Sequence, residues 1–444
     1  MVELKAVEGK GVRTVLFGDS LTFLSNHIDT PSTTFAYDDA TGTSYYEGGT
    51  FANTTDYGAF SYADALMLAP HYVIKNAGIG GNTTTQMLAR LQEDVLQYEP
   101  ELVYFWGGRN DFAQGAETAT VIANATAILD ALERVGAFVC VIDVPPSVAL
   151  SAVEFAARKA IVYCEWLRDE VRKRRNCVLV SALGTMVDPD FNNDGVAKTN
   201  YVLNDNTHNN NLGALRVGEE IARVMTPLVK PWAYYPSSPV EGFDFQPNDT
   251  PEIRNSNPLF AGSSGTKGTG ITGTVATGYE VTRLAGTPTA VCSVVEEVEH
   301  VGNAQRIAMT FGAADDAIYL GQTTSIHSRF VAGKVMEMQL DLIISADSET
   351  VLNRIEMYSG GTFNGGTKAV RGLSRVVGSN VQGVANNIQA LPLAGKRMRI
   401  RTPRLYIPTG PSTLWQHFIR FYAAGAGTVT VDVSRYAVRL FTPA

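Results

Sequence analysis

Cysteine is scarce: Cys140, Cys164, Cys177 and Cys292 are the four in 444 residues, and their spacing fits neither a disulfide framework nor a zinc site. Cys140 and Cys177 fall inside apolar runs and read as small core residues. Basic residues are outnumbered, 36 Lys and Arg against 44 Asp and Glu. The formal net charge of -8 argues against nucleic acid as the main partner, because neutralising phosphates takes a basic surface. The basic cluster Arg172 to Arg175 reads as a solvated helix end whose cations face the C-terminal dipole. No apolar stretch reaches membrane-spanning length, and Met1-Val2-Glu3-Leu4-Lys5 lacks the basic-then-apolar form of a secretory signal. Neither a membrane partner nor general export is expected.

What is present is enough apolar residue, 45% of a chain longer than the usual single domain, to build at least two cores. In the first half, strand-like runs at Val12–Phe17, Tyr72–Lys75, Leu102–Trp106, Ala137–Val144 and Cys177–Val180 alternate with helical patterns at Thr84–Tyr98, Ala119–Val135, Ala152–Arg172 and Leu212–Met225. Such alternation implies a parallel sheet covered on both faces. After Lys230 the pattern changes. A Pro-rich and then Gly/Ser/Thr-rich linker is expected over 231–280, followed by strand alternation, as in Met336 to Ile344 and Val429 to Val433. Residues 281–444 therefore read as a β-sandwich, jelly-roll-like, suited to carbohydrate binding or oligomerisation.

Chemistry concentrates at the ends of the first-half strands. Ser20 lies in Gly18-Asp19-Ser20-Leu21-Thr22, directly after the first strand. A serine hydroxyl becomes a useful nucleophile when a base takes its proton and donors hold the charge on the attacked oxygen. Asp205-Asn206-Thr207-His208 supplies a base and, three residues before it, a carboxylate to orient it. Gly78-Ile79-Gly80-Gly81-Asn82-Thr83 is a turn rich in backbone N–H groups, and Gly107-Gly108-Arg109-Asn110-Asp111 adds a side-chain amide. Both can donate to an oxyanion.

These four blocks, in this order, resemble the SGNH hydrolase superfamily, also called GDSL esterases and lipases, over roughly residues 1–230. The resemblance implies a flavodoxin-like three-layer α/β domain with a serine nucleophile and no cofactor. It implies Ser20, Asp205 and His208 as catalytic residues, with Ser20 and Gly81 donating backbone N–H groups and Asn110 a side-chain amide to the oxyanion hole. The second half carries no such resemblance.

Other features have competing readings. The Gly78 to Gly81 turn lacks the Gly-x-Gly-x-x-Gly spacing and the Lys-Ser or Lys-Thr pair of a phosphate loop, which leaves the oxyanion role. Asp190, Asn192 and Asp194 before Gly195 match the start of a calcium loop, but the twelfth position is Tyr201, not Glu; an ordinary polar turn is the alternative. The long segment between Ser25 and Phe60 holds Tyr45, Tyr46, Phe51 and Tyr57, which read either as a sugar-stacking or acyl-lining surface or as a local mini-core.

The leading expectation is thus an esterase removing acetyl or other short acyl groups from a carbohydrate or small ester. An alternative is a phage tail spike or other virion attachment protein that trims a host polysaccharide and assembles as a homotrimer. Without a signal sequence in this chain, a virion surface or extracellular location is favoured over the cytoplasm. A lipase comes third, because neither half shows a large apolar lid.

Overall fold

The computed structural model describes residues 4, 6–7, 11–24, 34–38, 43–47, 58–146, 154–190, 196–202, 207–230, 236, 253–324, 330–345, 351–363, 366–372, 395–402, 404–407 and 412–441. Those up to 24 and from 58 to 230 form one compact unit; those of 34–47 and from 236 onward form another.

The first unit opens with β1 (Ala6–Val7) and β2 (Gly11–Gly18), and α1 (Ser20–Leu24) follows at once. The chain then gives a hairpin, β3 (Thr34–Asp38) and β4 (Thr43–Glu47), to the second unit. It returns with α2 (Ala59–Leu66), β5 (His71–Gly78), α3 (Thr84–Asp94), β6 (Leu102–Trp106), α4 (Arg109–Ala113), α5 (Thr118–Arg134) and β7 (Phe138–Ile142). Next come α6 (Glu154–Lys173), β8 (Cys177–Val180), α7 (Ala182–Met186) and α8 (Asn211–Met225). The five main strands lie in the order β5-β2-β6-β7-β8, all parallel, with β1 antiparallel beside the start of β2. All five strands expected from the apolar runs form, with ends shifted by up to three residues.

Every residue of β6 and β7 is buried, as a sheet covered on both faces requires. One set of alternating side chains, including Leu16, Tyr104 and Cys140, packs in a core with Phe60 and Ala63 of α2 and with Val217, Ile221 and Met225 of α8. The opposite set, Val15, Phe17, Val103, Phe105, Val139 and Val141, is equally buried, and α3, α5 and α6 carry buried Met87, Leu91, Ile128, Leu132 and Leu167. Each such large side chain contributes about 1.5–3 kcal/mol through removal from water. This is a three-layer α/β arrangement of flavodoxin-like strand order. The order reverses at β2, so the crevice for chemistry belongs at the carboxyl ends of β2, β5 and β6.

The second unit adds β9 (Thr266–Lys267), β10 (Ile271–Gly273), β11 (Glu280–Ala285), β12 (Thr289–Glu296), β13 (Asn303–Phe311), β14 (Ala317–Thr324) and β15 (Val335–Ile344). It continues with β16 (Leu352–Phe363), β17 (Gly366–Gly372), β18 (Arg397–Arg401), β19 (Leu405–Tyr406), β20 (Ser412–Ala423) and β21 (Gly427–Phe441). They make two mainly antiparallel sheets, β10-β12-β13-β21-β15-β19-β4-β3 with β18 on β15, and β17-β16-β20-β14-β11-β9. The arrangement is that of a β-sandwich.

Two findings here differ from the expectation. The stretch from Ile253 to Tyr279, assigned above to a linker, is built into the sandwich: β10 pairs parallel with β12 and β9 with β11. Its glycines serve close approach, for a Cβ at Gly268 or Gly273 would overlap Thr282 or the Cys292 carbonyl. In β15 the polar residues that alternate with Met and Leu are also buried, Gln339 and Asp341 completely. Asp341 is matched there by Arg399 at 2.8 Å and by Arg435, so both faces of the strand are covered.

In the first unit, α1 lies so close to the end of β5 that a Cβ at Gly78 would overlap the Phe23 backbone. Backbone cannot rotate away as a side-chain tip can. Gly78→Ala is expected to destabilise the unit by about 1–3 kcal/mol and to lower activity at Ser20, read from denaturant midpoints and ester turnover. An unchanged midpoint would mean that α1 is not seated this way.

Candidate active site

Ser20 is the first residue of α1, and Asp19 caps that helix. Its Oδ1 accepts from Leu21 N at 2.9 Å, and its carbonyl accepts from Phe23 N at 2.9 Å. The strand therefore turns into a helix within two residues, leaving the serine at the carboxyl rim of the sheet. His208 arrives from the other end of the unit. It stands two residues before Asn210, the cap of α8, whose side chain accepts from Gly213 N at 2.9 Å and donates to Asn200 O at 2.7 Å. The helix it precedes sits close on α2 because residue 218 is glycine: a Cβ there would meet Ala59 O and Tyr62 Cβ at 2.7 Å. The result is His208 Nε2 at 2.8 Å from Ser20 Oγ, both residues part-buried. That is hydrogen-bonding distance for a base and its nucleophile.

Asn110 lies in the first turn of α4, just past the end of β6. Its Nδ2 donates to Asp19 Oδ2 at 3.2 Å and to Asn82 O at 3.1 Å. The glycines before it are required: Gly108 has φ +114°, and a Cβ there would press on Tyr163 at 2.7 Å, while one on Gly107 would press on Met87 Sδ at 2.7 Å. Gly81 has φ +78° and is exposed, with open space where a Cβ would be. Its carbonyl accepts from Gln114 Nε2 at 3.2 Å, and a Cβ on the preceding Gly80 would lie 4.0 Å from Ser20 Cβ. The structure thus brings Ser20, His208, Asn110 and the Gly80–Asn82 turn together.

Asp205 lies outside the described residues, as do Phe51, Tyr57, Asn192 and Asp194. Tyr45 and Tyr46 belong to β4 and the sheet of the second unit. Asp190 is exposed, its N–H donating to Asp188 Oδ1 at 3.0 Å. Among the described residues no group of three or more His, Cys, Asp or Glu could hold a metal, and no helix is long and apolar enough to cross a membrane.

Sequence reasoning missed four residues that frame this site: Asp19, Asn82, Arg90 and Asp111. Asp111 accepts from Thr84 N at 2.9 Å and from Thr84 Oγ1 at 2.6 Å, tying the start of α3 to α4. Its position directly after Asn110 was the available signal. Asp19 is fully enclosed, and burial pushes its carboxyl up to about 6, against the opposing pull of the Leu21 amide, Arg109 and His208.

That shift has a measurable consequence. Because the folded value, about 6, lies above the unfolded 3.8, the folded protein holds this proton more tightly, and stability falls as pH rises through that window. Asp19→Asn carries no charge and escapes this loss. Its stability relative to the natural protein should improve by up to about 3 kcal/mol between pH 4 and pH 7, read from urea midpoints of the first unit. A difference that does not change with pH would assign the burial cost to another group.

Residues 16–216 match the family model described as the GDSL-like lipase/acylhydrolase family. Similar solved structures include a GDSL-like lipase from Bacteroides thetaiotaomicron VPI-5482, 17% identical, covering 51% of this chain and 89% of that one with a TM-score of 0.35. A catalytic mutant of an acetylxylan esterase from Geobacillus stearothermophilus is 18% identical, covering 49% of this chain and 95% of that one with a TM-score of 0.36. No curated protein matches the chain. Residues 16–216, over which Ser20, Asn110 and His208 assemble at one sheet rim, are thus similar to the GDSL-like lipase/acylhydrolase family.

Proposed function

We propose that the protein is a serine esterase that removes short acyl groups, acetyl foremost, from a carbohydrate or a small ester. The observation that carries the esterase reading is the 2.8 Å contact between His208 Nε2 and Ser20 Oγ. In the reaction, Ser20 Oγ attacks the ester carbonyl as His208 Nε2 takes its proton. The tetrahedral intermediate collapses with expulsion of the alcohol, to which His208 returns the proton, and an acyl-Ser20 ester remains. Water repeats the sequence, with His208 as base, and releases the carboxylic acid. Asp205 is the carboxylate assigned to hold Nδ1 of the imidazole.

The oxyanion forms beside the Ser20 and Gly81 amides and the Asn110 side chain. In the resting site both Asn110 hydrogens are engaged, by Asp19 and by the Asn82 carbonyl. The developing negative charge attracts that amide more strongly than the neutral Asn82 carbonyl does. Stabilisation is then greatest in the transition state, where it accelerates the reaction. The carbohydrate reading rests on architecture: a hydrolase domain joined to a β-sandwich suits a polymeric substrate, since a tether raises the local concentration of active sites.

Ser20→Ala should abolish ester hydrolysis while leaving the unfolding midpoint unchanged. Asn110→Ala should lower kcat by roughly 10²–10³-fold with a smaller change in KM. Both variants are to be assayed on acyl esters of two to twelve carbons and on acetylated polysaccharide. Preference for long chains would overturn the short-acyl reading, and turnover unaffected by Ser20→Ala would overturn the mechanism.

A further inference from the structure

We infer that Arg90 is a positioning residue that sets the oxyanion hole, acting through the strand ends and the Gly80–Asn82 turn rather than by touching substrate. The inference rests on the esterase reading above and deepens it.

Arg90 lies in α3, with its side chain only 13% exposed. Four of its five N–H groups are in use. Nη2 donates to Gly18 O at 2.9 Å, the last carbonyl before Asp19 and Ser20. Nη1 donates to Ala77 O at 2.8 Å, near the end of β5, and to Asp94 Oδ2 at 2.7 Å. Nε donates to Asn82 Oδ1 at 2.8 Å. The guanidinium also lies 4.9 Å from the centre of the Phe17 ring on β2. One planar group therefore joins the strand that delivers the nucleophile, the strand that delivers the glycine turn, and the tip of that turn.

The tip matters because Asn82 faces two ways. Its side chain is held by Arg90, and its backbone carbonyl accepts from Asn110 Nδ2 at 3.1 Å. The chain of contacts runs from Arg90 to Asn82 to Asn110, and separately from Arg90 to Gly18, next to Asp19, whose carboxylate also holds Asn110. Misplacement of donors by about 1 Å is costly in catalysis, because preorganised dipoles work only when aimed at the developing charge. Gly18 O also accepts from Ile79 N at 3.1 Å, so the two strand ends touch directly, and Arg90 adds the fork that fixes their spacing. Lysine cannot reproduce this, having one point charge in place of a planar set of donors. The outer partner, Asp94, is shared with Lys75 at 3.0 Å, which locks the guanidinium in orientation.

Arg90→Ala is expected to lower kcat by about 10- to 100-fold with KM changed by no more than about threefold, since the lost geometry counts chiefly in the transition state. Guanidinium ion added to the assay at about 50 mM should restore part of the Arg90→Ala activity, while ammonium should not; Arg90→Lys should remain impaired. The Arg90→Ala/Asn110→Ala double variant should be little worse than Asn110→Ala alone, because both act on one donor. Full additivity, or a loss confined to KM, would overturn the proposal. Should Arg90→Ala fail to fold, Asn82→Ala cuts the same chain of contacts at the half-buried turn and should lower kcat by about 3- to 10-fold with less risk to folding. Amide hydrogen exchange of residues 78–83 separates this proposal from the esterase reading. Faster exchange in Arg90→Ala supports Arg90 as the tie of the turn even if the natural protein shows no Ser20-dependent turnover. Unchanged exchange overturns the tie even if turnover is found.

Discussion

A hydrogen bond of 2.8 Å between His208 and Ser20 joins residues 188 positions apart, and it cannot hold itself in place. A bond of this kind contributes about 1 kcal/mol net, far less than the cost of ordering the chain between its ends. The fold has to hold it. On one side, α1 is seated against the end of β5 at Gly78; on the other, α8 approaches α2 at Gly218. Both close approaches put glycine where any side chain would collide with backbone atoms. The dyad is thus the product of two packing constraints on opposite arms of the same sheet, and each arm draws its stability from the buried apolar side chains of the three layers.

Around the dyad, polar groups do work that stability alone would not select. Asp19 is enclosed despite a charge that burial disfavours, yet its two oxygens cap α1 and hold Asn110. A neutral group in its place would spare the fold the burial of charge but would remove a charge that faces both His208 and Asn110. Arg90 answers a different need. Carbonyls at the ends of parallel strands run short of strand donors, even where one such as Gly18 O still meets Ile79 N, and buried carbonyls need donors. A guanidinium satisfies two at once and leaves an N–H for the turn beyond.

The legible part of the sequence was the part with a strong period. Runs such as Leu102 to Trp106 lie buried on both faces and could hardly be anything but central strands, and α8 showed its apolar stripe plainly. Ser20, His208 and Asn110, which the structure brings together, stood out in the sequence because each sits next to such an element in a recognisable block. Arg90 was not legible, because an arginine four residues before an aspartate on a helix reads as a surface ion pair. Its three other bonds go to residues that approach only in the folded sheet. The hairpin β3–β4 was hidden for a similar reason: nothing local in its Thr, Tyr and Glu residues says that the neighbour of Tyr46 is Leu405. Strand β16 carries paired glycines, Gly360 and Gly361, where β-branched residues would have announced it.

The connectivity of the two units follows from that hairpin. The chain leaves the hydrolase unit between α1 and α2, lays β3 and β4 onto the large sheet of the sandwich, and returns to build the rest of the parallel sheet. In that large sheet β21, the last strand, lies between β13 and β15, so its centre is laid down by the end of the sequence. The composition change near Pro231 is therefore not a boundary at which the molecule divides cleanly. A cut there leaves β3 and β4 without β19, exposing backbone groups that the sheet had satisfied, next in sequence to the nucleophile. It also orders events in folding. The parallel sheet and its helices draw mainly on contacts within 230 residues and can form first, whereas the β3–β4 hairpin between α1 and α2 has no strand outside itself to join until residues beyond 400 are in place.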